Sequence, residues 1–278
     1  MRYLLILIAA GLVAASATMA KAAAGDPVQV ELSQGEGRLR AVLYRPDGDG
    51  PFPAIVGLHA CGGLNNRTGV MATRYNDWGR RLANAGFAVI YPDSYGSRGL
   101  ANQCGISRRS VRSDRERVAD ANVARLWLQA QPWVAADRVS LLGWSSGGVT
   151  TLWAVRARTS VKDGKDFRSA VALYPGCRRL GVAAWSARVP TLILIGRSDD
   201  QTSAAACEQM VAGARGRSAR VAIQVYPGAY HDFDHPNRAI QVRTGYAFSV
   251  DGTGRVHSGT NPHARADALK RVPEWLLR

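Results

Sequence analysis

Acidic side chains are in short supply in this sequence: 21 Asp and Glu stand against 36 Lys and Arg, for a formal charge of +15 over 278 residues. The basic surplus is not interleaved with aromatics in a nucleic-acid-binding pattern. It therefore predicts weak attraction to anionic surfaces and no specific nucleic-acid partner. No segment repeats with a period of 20–50 residues, which argues against solenoids and propellers. No stretch is rich enough in Pro, Gly or Ser to act as a linker, so a single domain is expected. The four cysteines, Cys61, Cys104, Cys177 and Cys207, have neither CxxC spacing nor clustered histidines, which speaks against a zinc site. Apolar residues are not lacking: they make up 46% of the chain and charged ones 21%, enough to bury a core and to exclude a disordered chain.

The N-terminus carries a different signal. Met1-Arg2-Tyr3 is a short positive start, Leu4 to Val13 is an apolar run, and small residues follow at Ala15-Ser16-Ala17 and Thr18-Met19-Ala20. That layout predicts a signal peptide over residues 1–20, cleaved after Ala17 or Ala20, and a mature domain over 21–278 that is periplasmic or secreted. The uncharged run from Tyr3 to Ala20 falls short of the ~20 apolar residues of a membrane helix, so no span is expected after cleavage. In an oxidising compartment an even cysteine count suggests disulfides, with three connectivities open.

From residue 28 onward, short β-rich runs alternate with helical ones. Val28–Leu32 and Arg38–Tyr44 alternate apolar and polar around Gly35 and Gly37, which predicts an antiparallel hairpin. Continuous apolar runs at Ala54–Leu58, Phe87–Tyr91, Val139–Leu142, Ala170–Tyr174, Thr191–Ile195 and Val221–Val225 have the pattern of buried parallel strands. Helical stretches fall between them, near 71–85, 114–130, 146–157, 203–214 and 263–277. In the second, Val118, Ala121, Val123, Leu126 and Leu128 form the expected apolar stripe. The alternation predicts a mostly parallel, doubly wound α/β sheet with helices on both faces, entered through the N-terminal hairpin.

The chemistry concentrates at Gly143-Trp144-Ser145-Ser146-Gly147-Gly148, between a predicted strand and a predicted helix. Gly-x-Ser-x-Gly in that context is the pattern of a nucleophile elbow: a sharp, strained turn presents the middle serine at a helix N-terminus, where developing negative charge is favoured. A hydroxyl at neutral pH needs a base, and the base needs an orienting acid. Asp199 and Asp200 follow the strand Thr191–Ile195, and His231 follows the strand Val221–Val225, in the chain order of such enzymes. Ser145, Asp199 and His231 are the expected triad, with Asp200 a close rival for the acid or a cap for the helix starting near Ser203. His231-Asp232-Phe233-Asp234-His235 also has the composition of a metal cluster, but the triad accounts for His231 without a metal, and no cofactor is expected. His257 and His263 carry no signal. The oxyanion hole is expected from the N–H groups of Ser146 and of Cys61, in the Gly-rich turn His59-Ala60-Cys61-Gly62-Gly63. His59, Trp144 and Arg98 are candidates for substrate contact. Arg98 is the member of the basic group Arg98, Arg108, Arg109, Arg112, Arg115 and Arg117 placed nearest the site, where it could anchor an anionic substrate.

These motifs, with Pro92-Asp93-Ser94-Tyr95-Gly96-Ser97-Arg98-Gly99, Tyr174-Pro175-Gly176-Cys177 and Tyr226-Pro227-Gly228-Ala229-Tyr230-His231, resemble the dienelactone hydrolase family of α/β-hydrolases over residues 38–235. The resemblance implies hydrolysis of a lactone or other carboxylic ester without a cofactor. The sequence departs from the family's founding members at two positions, with Ser145 where they carry a Cys nucleophile and Ala60 where they carry a Glu. An exported serine hydrolase acting through an acyl-enzyme on Ser145 is therefore the expectation. The same triad also serves amide or peptide bonds, and a non-catalytic basic binding protein is the non-enzymatic alternative. The resemblance further implies that the strands before Cys61 and Cys104 are neighbours, as are those before Cys177 and Cys207, and hence the bridges Cys61–Cys104 and Cys177–Cys207. Loops 94–113 and 232–262 are expected to shape the pocket.

Overall fold

The structure, a computed structural model, describes residues 26–34, 37–158, 161 and 163–278. The expected signal peptide lies outside the described residues. Among those described, no helix is long and apolar enough to cross a membrane.

Eight strands form one sheet. β1 (Val28–Gln34) and β2 (Gly37–Tyr44) make the expected antiparallel hairpin, in register Val30↔Ala41 and Leu32↔Leu39. β2 joins β4 (Ala88–Pro92) antiparallel. From there β3 (Phe52–Leu58), β5 (Val134–Trp144), β6 (Ala170–Leu173), β7 (Thr191–Gly196) and β8 (Val221–Tyr226) continue in parallel, giving the order β1-β2-β4-β3-β5-β6-β7-β8. Every residue of β4, β6 and β7 is buried. Successive strand side chains point to opposite faces, so both faces of the sheet are covered, as the unbroken apolar runs predicted.

The helices that cover it are α1 (Thr73–Asn84), α2 (Glu116–Gln129), α3 (Ser146–Ala154), α4 (Arg178–Val182), α5 (Ala204–Gly213) and α6 (Pro262–Leu277). Two of them start on side-chain caps: Ser203 accepts from the Ala206 N–H, and Asn261 accepts from the Ala264 N–H with Pro262 behind it. Ser203 thus caps its own helix, and neither aspartate before it is needed there.

α2 corrects its expected apolar stripe. Its buried face is Arg117, Asp120, Ala121, Ala124, Arg125 and Leu128, while Val118, Val123 and Leu126 are only half-buried. Polar residues can hold an inward face when each finds a partner. Asp120 accepts two bonds from Arg98, and Arg125 donates to the carbonyls of Asp163 and Lys165.

Both bridges implied by the resemblance are present, Cys61–Cys104 (S–S 2.01 Å) and Cys177–Cys207 (2.03 Å). Each joins segments that follow adjacent strands: the loops after β3 and β4 in one, and the start of α4 and helix α5, after β6 and β7, in the other. They enclose sequence separations of 43 and 30 residues, each worth about 3–4 kcal/mol in chain entropy. The two bridges are consistent with an oxidising compartment.

Candidate active site

The turn after β5 has the strain its sequence predicts. Ser145 sits at φ 53° and ψ −116°, a conformation that costs a non-glycine residue on the order of 1–3 kcal/mol. The surroundings enforce it. A Cβ on Gly147 would lie 1.9 Å from the Leu58 carbonyl oxygen, and one on Gly143 would lie 2.3 Å from that of Gly147, so only glycine lets β3, β5 and α3 approach this closely. The Ser145 N–H is anchored to the Leu173 carbonyl (2.9 Å), which leaves the side chain at the sheet edge.

His231 follows β8 and reaches back to this point. Its Nδ1–H donates to Asp199 Oδ2 at 2.7 Å, and its Nε2 lies 3.0 Å from Ser145 Oγ, placed to accept the hydroxyl proton. All three side chains are buried. Asp199 is itself held: its Oδ1 accepts the N–H groups of Gln201 and Thr202, and Oδ2 also accepts the Thr202 hydroxyl. Burial pushes the His231 pKa down, but the Asp199 carboxylate, by charge and hydrogen bond, outweighs it and leaves the imidazole above its ordinary value. Asp200, the rival acid, points elsewhere. Its carboxylate accepts the N–H and the Nδ1–H of His257, and its carbonyl accepts the Val250 N–H, so it fastens the loop before β10 (Val256–Ser258). β10 pairs with β9 (Gln241–Arg243) in a small hairpin inside the region expected to be irregular; three-residue strands leave too little pattern to read.

Two further carboxylates stand behind the histidine. Asp232 ion-pairs with Arg74 (2.7 Å) and Arg238 (3.0 Å). Burial alone would raise its pKa, but chiefly the Arg74 charge holds it well below the usual carboxylate range. Asp234 is completely buried and accepts from Trp78 Nε1, Trp144 Nε1 and the Tyr174 hydroxyl at 2.8, 2.7 and 2.6 Å. The Tyr174 ring in turn packs on the His231 imidazole, centroids 4.5 Å apart. Asp234 also lies 3.8 Å from Arg74, so both carboxylates of the 231–235 segment face this cation, and no metal-binding group of three occurs among the described residues.

Ser145 and His231 open into a cavity of about 750 Å³. Its walls come from the expected loops, including Tyr95, Asn102 and Tyr246, and from the turn at 60–63, but also from residues 64–75, running into the first turn of α1, which the sequence did not single out. Cys61 and Cys104 lie in the wall. Arg67, Arg238 and Arg243 give the mouth a positive lining, while His235 is desolvated and repelled by Arg74 and Arg238, which lowers its pKa to about 4.

Three expected substrate contacts are corrected. His59 is wholly buried, with its ring against Tyr95 (4.8 Å) and its Nδ1–H on the Ala60 carbonyl. Trp144 is wholly buried, held by Asp234, and takes no part in the cavity wall. Arg98 binds Asp120 through both terminal nitrogens (2.9 and 2.7 Å) and the Ser94 carbonyl, and takes no part in the cavity wall. The sequence placed these residues near Ser145, but neighbours along a strand point to opposite sides, and a buried carboxylate claims the arginine. Arg74 and Thr202 were missed altogether, while Arg117 was named only within a basic group and Asp232 and Asp234 only within a candidate metal cluster. Apart from Thr202, which bonds Asp199 three residues away, these residues act mainly through partners distant in the chain, which no local pattern reports.

A family model described as the dienelactone hydrolase family matches residues 39–278. A Bradyrhizobium protein named probable 2-oxo-3-(5-oxofuran-2-ylidene)propanoate lactonase is 31% identical over 129 residues, 45% of this chain and 48% of that protein. The match therefore spans about half the length of this relative. Among solved structures, a Klebsiella pneumoniae protein titled as a dienelactone hydrolase superposes with a TM-score of 0.69 at 22% identity, covering 91% of this chain and 99% of the other. A dienelactone hydrolase-like promiscuous phosphotriesterase from metagenomic libraries gives 0.69 at 20%, covering 91% and 97%. The two structures share the fold; the family match, extending from β2 to the C-terminus, carries the assignment: the chain belongs to the dienelactone hydrolase family of hydrolases.

Proposed function

We propose that this protein is an exported serine hydrolase that cleaves a carboxylic ester or lactone through an acyl-enzyme. The observation that carries the reading is the hydrogen-bonded line Asp199–His231–Ser145, at 2.7 and 3.0 Å, ending at the cavity. Ser145 Oγ attacks the carbonyl carbon as His231 Nε2 takes its proton, and Asp199 holds the ring and balances the imidazolium. The oxyanion is received by the N–H groups of Cys61 and Ser146. His231 then protonates the departing alcohol oxygen, which in a lactone remains tethered to the acyl chain. Water, deprotonated by the same ring, releases the acid and regenerates Ser145. The positive mouth formed by Arg67, Arg238 and Arg243 favours a substrate bearing a carboxylate, as does the propanoate in the name of the Bradyrhizobium relative.

Ser145→Ala should lower kcat on 4-nitrophenyl esters by about 10⁴–10⁶-fold and abolish labelling by a fluorophosphonate probe. Parental turnover in that variant would overturn the reading. Export is tested by the N-terminal sequence of protein recovered from expressing cells, which should begin after Ala17 or Ala20.

A further inference from the structure

Arg117 is fully buried in α2, yet no carboxylate lies within ion-pairing distance of it among the described residues. Its guanidinium is committed to uncharged groups. NH1 donates to Ser146 Oγ at 3.1 Å, NH2 to the His59 carbonyl at 2.5 Å, and the plane lies over the Tyr95 ring at 5.1 Å, while Nε has no partner. An arginine buried without a counter-charge is costly, and its contacts fall on the two segments that carry the expected oxyanion donors.

The backbone shows what those contacts fix. The His59–Ala60 peptide is held at both ends: its carbonyl by Arg117, and its N–H by the Tyr75 hydroxyl at 2.8 Å. The next carbonyl, that of Ala60, accepts from Gly63 N–H (3.2 Å) and His59 Nδ1–H (2.8 Å). In a trans peptide the N–H points opposite its carbonyl, so these bonds set the direction of the Cys61 N–H. The second contact holds the side chain of Ser146, whose N–H opens α3.

We propose that Arg117 is a positioning residue for the oxyanion-binding pair: it clamps the Cys61 turn to the first residue of α3 and keeps a fixed positive charge behind both N–H groups. This inference rests on the serine-hydrolase reading above. A charge already in place, in a site that excludes water, stabilises an oxyanion without reorganisation as the reaction proceeds. Methionine at 117 would fill the space without the charge or the donors. Lysine would keep the charge but could not span both contacts.

The test compares the full-length protein with Arg117→Met and Arg117→Lys on 4-nitrophenyl butyrate, alongside inhibition by a trifluoromethyl ketone, whose adduct with serine places an oxyanion in the same position. For Arg117→Met, kcat should fall about 10–100-fold, with KM within about threefold and the ketone weakened in parallel with kcat/KM. Arg117→Lys should recover part of both losses, and it supplies the comparison if the methionine variant does not fold. Parental kcat and ketone affinity in a folded variant, or a rise confined to KM, would overturn the inference. Ser145→Ala in the same assay separates the two readings: if it retains turnover the serine mechanism fails, and if it is inactive while the Arg117 variants match the parent, only the role of Arg117 fails.

Discussion

The two sides of the candidate active site are built from opposite materials. On the side of β3 and α3, where negative charge would develop, the turn is backbone, glycine and a disulfide, with the buried cation Arg117 behind it. On the side of β7 and β8, where the imidazolium would form, the supports are carboxylates: Asp199 on the ring, with Asp232 and Asp234 behind it. A cation thus stands behind the turn after β3 and a carboxylate on the imidazole, an order suited to a serine that gains negative character while a histidine gains positive, with Arg74 and Arg238 offsetting Asp232 on the second side.

The sharpest way to break this contrast is at the two consecutive aspartates. Asp199→Asn should lower kcat about 10⁴-fold by presenting the wrong tautomer of His231, whereas Asp200→Asn should cost less than about tenfold, because its partner is His257; steady-state kinetics on a chromogenic ester would decide between them. Removing Asp234 should act on the whole molecule. Asp234→Ala strands two indole N–H groups and a tyrosine hydroxyl in the core and should cost about 3–5 kcal/mol in denaturant unfolding, with Asp234→Asn costing less because it keeps an acceptor. Breaking Cys177–Cys207 with a double serine variant should cost about 2–4 kcal/mol while leaving the triad contacts in place, read as a lower midpoint at similar kcat.

The smallest effect is on pH. The base must be neutral to accept a proton, so kcat/KM should rise with pH through the pKa of His231, which lies above the ordinary histidine value. Asp232 contributes to that elevation through its charge. Asp232→Asn should move the acidic limb to lower pH, and an unmoved limb would remove Asp232 from the electrostatics of the base.

How much could be read beforehand follows from the same physics. The mostly parallel sheet and the meeting of Ser145, Asp199 and His231 were legible because buried parallel strands leave unbroken apolar runs, and the loops that carry these residues hang from the strand ends: Ser145 after β5, Asp199 after β7, His231 after β8. The disulfide pairing was what the family resemblance implied, and both bridges are present. What stayed hidden was direction and partnership. Trp144 and His59 adjoin functional residues but face the core, and Arg98 is claimed by Asp120. Arg117 meets His59 across 58 positions and Trp144 meets Asp234 across 90, distances at which sequence periodicity carries no information. The stripe on α2 was misplaced for the same reason: it buries charged residues whose partners lie elsewhere in the chain.

Asp199 grips the His231 ring while its immediate neighbour Asp200 grips β10 through His257 and the loop before it through Val250. One amide linkage thus joins the residue that holds the imidazole to the residue that anchors β10, whose partner strand β9 carries Arg243 into the cavity wall. Any displacement of that hairpin would reach the imidazole through a lever a single residue long.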